Sequence, residues 1–372
     1  MSNKLKSRRR SYYSSGSSII EAYDEYGNSV NCMQIVNHFK KVKIKKTLIC
    51  SLSFFVVLLV FISCSTKLNV NAEWKDIMVV TGLLNQADSI QYIRIGKAFL
   101  GPGDELQYAR IPDSSNYTAN LEVRLNEFRD DTSLIRSVIL RDTTITNKDS
   151  GIFYFPAQKL SYTTSKISED YTYRLLIHNT MTGNYVEART VLIHKFDLNL
   201  PPRLPGVSIL PGGFTEVNWT SAAGGKRYQL TVRIHYTETK KGDTVKSSHS
   251  LDWTPFGDIK SPDDQGGASL GDYINGDSFY TFLGSHIQVD PTLNRTLGLC
   301  DFIFWVASDD LDSYMQAEES SSLSQVKPTF SNITNGTGIF ASRYVQLFEN
   351  FHFTQTTRDS VKTNKKTMKL GF

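Results

Sequence analysis

Cys64 is the residue whose surroundings point most directly to a defined chemistry. It ends the run Phe61-Ile62-Ser63-Cys64, which closes an apolar stretch of 15 residues from Leu48 to Ile62. Lys40, Lys41, Lys43, Lys45 and Lys46 precede that stretch. A basic region, a short apolar region and a small residue at the cut describe a secretory signal. A Cys directly after a small residue resembles a lipobox. There the thiol is linked to diacylglycerol, and the peptide bond between Ser63 and Cys64 is the predicted cleavage point. The Cys must become the first residue because its freed amino group is acylated as well. Several acyl chains anchor firmly where one holds only marginally. The alternative is an uncleaved transmembrane helix, which needs about 20 apolar residues. The lysines on its N-terminal side would still leave residues 65–372 outside the cytoplasm.

Other reactive side chains are sparse. Of the four cysteines, Cys32 and Cys50 precede the cut, and Cys300 lies in the apolar run Leu299–Val306 as an expected buried core residue. A disulfide framework and a cysteine metal site are excluded by that count and spacing. No HExxH, G-x-S-x-G, P-loop or dinucleotide fingerprint occurs, and the seven His are scattered. No cofactor, no metal site and no catalytic residue is therefore expected. Two acidic clusters stand out, Asp263-Asp264 and Asp309-Asp310-Asp312. Carboxylates can hold calcium, but the full ligand spacing of a calcium loop is missing. Asp309 to Asp312 also precede an expected helix, where acids favour the dipole.

The net charge of +4 misleads. Residues 1–63 hold ten basic and three acidic residues, leaving 31 basic and 34 acidic from Cys64 onward. A nucleic-acid partner needs a concentrated positive surface, so none is expected.

The elements that position these residues read as all-β. Ile77–Leu84 is an expected buried strand and Ile90–Ile95 alternates. Leu121, Val123 and Leu125 alternate with polar neighbours, which buries one face. Ile152–Phe155 reads as a short aromatic strand. Tyr171, Tyr173, Leu175 and Ile177 share a face, Thr182-Gly183-Asn184 turns, and Tyr185–Ile193 returns. Phe214–Thr220 is a further strand. Tyr228, Leu230, Val232, Ile234 and Tyr236 form the clearest alternation, with Thr244–Trp253 pairing back. Residues 254–276 read as a long loop, Asp277–Ile287 and Leu311–Leu323 as helices, and Cys300–Ala307 and Arg343–Phe348 as strands. The expected fold is two immunoglobulin- or fibronectin-like β-sandwiches in tandem, with short helices in the second. Tyr171 or Tyr173 is a candidate tyrosine corner, beside the plainer reading of core aromatics.

The chain thus divides into 1–32, a polar extension read as untranslated, with Met33 as the start; 33–63, the signal; and 64–75, a tether. Then come 76–199, the first sandwich; 200–213, a Pro/Gly linker whose prolines cannot sustain a ladder; 214–353, the second β domain; and 354–372, a polar tail expected to be mobile.

Phe330-Ser331-Asn332-Ile333-Thr334-Asn335-Gly336-Thr337-Gly338-Ile339-Phe340-Ala341-Ser342 resembles the closing motif of the domain of unknown function 4249 family of Bacteroidota lipoproteins. Ile77-Met78-Val79-Val80-Thr81-Gly82-Leu83-Leu84 is similar to that family's first strand, with Thr81 where relatives often carry an acid. The resemblance implies an outer-membrane or periplasmic lipoprotein of β-sandwich type, often encoded near TonB-dependent receptors, with no known activity. Asn335-Gly336 suits a turn with positive φ, so the motif reads as a structural latch, with a ligand loop as the sharper alternative. The five N-x-[S/T] sequons, at Asn116, Asn218, Asn294, Asn332 and Asn335, read as chance matches. Ser89, Thr143, Thr244 and Ser360 follow an Asp in a short motif that resembles an O-glycosylation signal of such proteins. The function expected is a non-enzymatic binding or accessory module, with a TonB-dependent receptor as partner. An adhesive or structural surface protein, and a hydrolase built on 254–276, are the alternatives.

Overall fold

Half-buried alternation makes most of the strands in this molecule, a computed structural model that describes residues 22–23, 29–30, 76–98, 105–117, 121–320 and 330–372. Residues 1–70 and 71–372 are two compact units. The described part of the first is an antiparallel pair, β1 (Ala22–Tyr23) and β2 (Ser29–Val30). The second begins with β3 (Met78–Leu84), β4 (Gln91–Lys97), α1 (Glu105–Ala109) and α2 (Pro112–Ser115). Next come β5 (Leu121–Arg129), β6 (Ser133–Ile139), β7 (Arg141–Ile145), β8 (Gln158–Thr163), β9 (Thr172–Asn179) and β10 (Tyr185–Val191). β11 (Leu198–Leu200), β12 (Phe214–Thr220), β13 (Arg227–Lys240), β14 (Lys246–Lys260), β15 (Ser269–Asn275) and α3 (Gly276–His286) follow. The chain closes with β16 (Leu293–Ala307), α4 (Asp309–Ser320), β17 (Ile333–Thr334), β18 (Gly336–His352) and α5 (Gln355–Thr363).

The fold is all-β, as the sequence predicts, and it is organised around one long sheet. Its order is β14-β13-β16-β18-β3-β4-β8-β7. The five-stranded sheet β17-β10-β9-β5-β6 packs over its β3–β7 end, and the three-stranded sheet β11-β12-β15 packs over its β13–β18 end. The first core draws Met78, Val80 and Ile93 against Leu125, Tyr173 and Leu175. The second draws Leu230, Val232, Phe302 and Phe304 against Val217, Trp219 and Ile274, with Phe279 and Leu283 of α3. The cores part between Leu192 and Ile193, except that Ile333 and Phe340 return to the first. The first half also holds the two short helices α1 and α2.

β18 joins the halves. It pairs antiparallel with β16 and parallel with β3, Gly336 opposite Met78 and Ser342 opposite Leu84. The two segments that carry the family resemblance are thus hydrogen-bonded partners. Asn332 mimics a strand neighbour: its side-chain oxygen accepts the Phe340 N–H at 3.0 Å, and its amide donates to the Phe340 carbonyl at 2.7 Å. Gly338 has φ +111°, and a Cβ there would collide with the Val80 carbonyl oxygen. Only glycine lets the two strands approach. These contacts give the closing motif the build of a latch.

Several expectations are corrected. The stretch 200–213 is no spacer: Val207 and Ile209 are buried, and Val207 bonds to His352 and Thr354. A Cβ on Gly206, at φ +108°, would strike the His352 carbonyl, so this glycine too marks a close approach. Residues 254–260 complete β14 and 269–275 form β15, so the connection between them is short. Ile152–Phe155 is no strand; Ile152, Phe153 and Phe155 lie exposed. The tail is packed as well. Thr354 caps α5, Val361 and Leu370 are buried, and the Arg358 guanidinium donates to the Leu297 and Gly298 carbonyls.

Candidate functional site

Tyr173 and Tyr228 show how each half fixes its strands. The Tyr173 hydroxyl accepts the Ser168 N–H at 2.7 Å and donates to the Ser168 carbonyl at 3.2 Å. The Tyr228 hydroxyl accepts the Ala222 N–H at 2.8 Å. Burial pushes the Tyr228 hydroxyl up to about 12 and Tyr173 well above its ordinary value, so both stay neutral. A hydroxyl bonded to backbone a few residues upstream, at the start of a strand, is the geometry of a tyrosine corner.

On this frame α4 lies over the outward face of β16 and β18 and leaves a half-open cleft of about 170 Å³. Trp305, Val345, Leu311 and Met315 supply apolar walls, and Gln229 and Arg343 supply polar ones. Register explains the grouping, since Gln229, Trp305 and Val345 stand in one row across β13, β16 and β18. Trp305 is 49 % exposed, an unusual residue to leave on a sheet face. The back of the cleft is charged. Arg227 Nε bonds Asp312 Oδ1 at 2.5 Å, and its Nη1 reaches Asp258 at 2.8 Å and Glu319 at 3.0 Å. Lys260 and Gln316 add further bonds to Asp312 at 3.2 and 2.7 Å. Burial pulls the Arg227 guanidinium down, but the hydrogen bonds it donates to Glu319 and Asp312 outweigh that and hold it above its ordinary value. Chemically the cleft can seat one ring or short aliphatic group against the indole, with hydrogen-bonding side chains at its mouth. A smaller depression, about 30 Å³, lies among Tyr117, Asp142 and Lys159.

The acidic clusters do not converge on a cation. Asp312 turns inward to Arg227, while Asp309 and Asp310 stay in the first turn of α4, where burial raises Asp310 above its ordinary value. Asp263 and Asp264 both accept from Gln265, and Gly224 N–H binds the Asp264 carbonyl. Among the described residues, no group of three or more His, Cys, Asp or Glu could hold a metal. Ser247, His249 and Glu238 come together on β13 and β14, but both partners meet the same nitrogen, His249 Nε2, at 3.0 and 3.4 Å. A nucleophile relay needs the two ring nitrogens to serve different partners. Cys300 is buried, as its apolar run predicts, and burial raises its thiol far above the ordinary value. Ser63 and Cys64 lie outside the described residues, as do the expected signal and tether. No helix among the described residues is long and apolar enough to cross a membrane. Sequence reasoning missed the cleft because Arg227, Trp305 and Arg343 meet only through strand register.

No protein-family profile matches the chain. No curated protein matches it either. Among solved structures it is similar to a chain of a cytokine receptor complex, at 10 % identity over 73 % of this chain and 96 % of that one, with a TM-score of 0.19. Another is the C-terminal globular domain of an oligosaccharyltransferase from Pyrococcus abyssi, at 10 % identity, 62 % and 47 % coverage and a TM-score of 0.23.

Proposed function

We propose that the chain is a non-enzymatic binding lipoprotein of the bacterial cell envelope, held by acyl chains on Cys64 at the outer membrane and serving as an accessory to a TonB-dependent receptor. The observation that carries the anchor is the order of basic cluster, apolar stretch and Ser63-Cys64. The resemblance of β3 and the β17–β18 latch to the domain of unknown function 4249 family supports the location and the partner. The α4 cleft supports binding: it offers an exposed indole in a recess with a fixed, ion-paired rear wall, and pockets of this kind are where small ligands bind.

The anchor is tested on the full chain by metabolic labelling with an alkyne fatty acid. The parent should incorporate label and partition into membranes, and Cys64→Ser should do neither. Unchanged labelling and partitioning in the variant would overturn the reading. Detergent-solubilised parent protein should also retrieve a TonB-dependent receptor.

A further inference from the structure

The outward face at the β4–β8 end of the long sheet carries a cluster that neither core nor cleft uses. Phe153, 43 % exposed, lies against two cations, with Arg94 at 5.7 Å and Lys148 at 5.9 Å from its ring centroid. Tyr92, opposite Tyr162 in register, continues the surface, and Arg141 stands 5.3 Å from the Tyr162 centroid. Ile152 and Phe155, one and two positions from Phe153 in the chain, are exposed by 59 % and 48 %. Tyr154 N–H binds the Ala109 carbonyl at 3.0 Å, which brings exposed Leu106 and Ile111 alongside.

Two features are difficult to explain as ordinary surface. Large apolar side chains gathered this way normally have an occupant. The charge at the rings is also one-sided: Arg94, Lys148 and Arg141 are the groups stacked on Phe153 and Tyr162, although acids exceed bases from Cys64 onward. Arg94 and Lys148 share one ring and repel. Burial, and then Arg94, pull Lys148 below its ordinary value. An anion placed over the pair would relieve that repulsion.

The chain joins the fold at the end of β4, the strand that carries Arg94. Asp76 accepts from the Tyr117 hydroxyl, and from Asn179 and Thr182 at 2.9 and 2.8 Å. Tyr117 in turn lies under Lys97 at the end of β4, and Asn116 bridges to Gly96. Eleven residues lie between Cys64 and Asp76, a reach of at most about 40 Å. We propose that this face, Phe153 with Ile152, Phe155 and the cations around them, docks onto an anionic phospholipid surface. This inference rests on the Cys64 anchor. Aromatic rings settle at the headgroup level and Lys or Arg meet the phosphates. The tether then fixes distance, and the patch fixes orientation.

The test uses full-length protein, produced in a lipoprotein-processing bacterium, purified from its membranes and reconstituted into vesicles of acyl-brominated lipid. Phe153→Trp places a reporter in the patch; Tyr273→Trp places one on the exposed β15 surface. With phosphatidylglycerol present, the indole introduced at 153 should shift to the blue and lose emission relative to the parent. The one at 273 should do neither. Arg94→Glu with Lys148→Glu should abolish the shift. Protein that floats with the vesicles while the indole at 153 stays unquenched overturns docking and leaves the anchor standing. Equal quenching in phosphatidylcholine alone overturns the anionic surface. Protein that does not float overturns the anchor, and docking with it.

Discussion

The two halves share a sheet and a closing device but expose different surfaces. Tyr173 makes two bonds to Ser168 where Tyr228 makes one to Ala222. Inward residues follow one rule in both halves, apolar at alternate positions from Tyr173 to Ile177 of β9 and from Tyr228 to Tyr236 of β13. Outward, β4 and β8 carry rings paired with cations, while β16 and β18 carry an indole under a helix braced by Arg227 and Asp312. Core packing constrains one side of a strand; the other is available for separate tasks. One sheet therefore supports two distinct outward surfaces.

Substitutions can break this comparison. The largest effect should come from Gly338→Ala at the joint between the halves. Strain at φ +111° and the collision with Val80 together should cost about 4 kcal/mol in urea unfolding. A small change there would mean the halves are not held by β18. Next is Asp312→Ala, which leaves the guanidinium of Arg227 buried; about 3 kcal/mol should be lost, and the paired change Arg227→Met with Asp312→Leu should restore most of it. Tyr173→Phe should cost about 2 kcal/mol and Tyr228→Phe about 1 kcal/mol, following their bond counts. Equal losses would erase the distinction between the two corners. Cys300 should resist maleimide in native protein at neutral pH and react after denaturation, read by peptide mapping, since burial holds it as a thiol. The smallest effect concerns Asp310. Burial raises its folded pKa, so its contribution is full below the ordinary carboxyl value of 3.8 and fades as pH rises through the folded value. Asp310→Asn should flatten that decline in a urea-midpoint series run upward from the ordinary carboxyl value.

Strands were legible where one face is wet, as in β5, β9 and β13. β15 was not, because only Leu270 and Ile274 face inward and Gly271 and Asp272 between them imitate a loop. The tail misled for the same reason: Val361 and Leu370 are isolated in a polar segment yet fill the second core. Ile152–Phe155 erred the other way. Its apolar run reads as a short aromatic strand, but the segment forms none and its rings are exposed, Phe153 beside Arg94 and Lys148. Of the cleft, the sequence marks the strands of Trp305 and Val345, the helix of Leu311 and Met315, and Asp312 as a helix acid; that they meet, and that Arg227 on β13 is the partner of Asp312, leaves no local trace.

The pairing of β18 with β3 also governs the order of assembly. A ribosome delivers β3 early and β18 almost last, so β3 must wait for its parallel neighbour while the whole second half is made. Such distant contacts slow folding, because the intervening chain must be ordered before the pairing gives any return. During that interval one edge of β3 lacks its native partner, and an unpaired edge invites association with other chains. A shortened chain ending before Gly336 would keep that edge permanently open, which makes the final strand a guard against aggregation as much as a part of the fold.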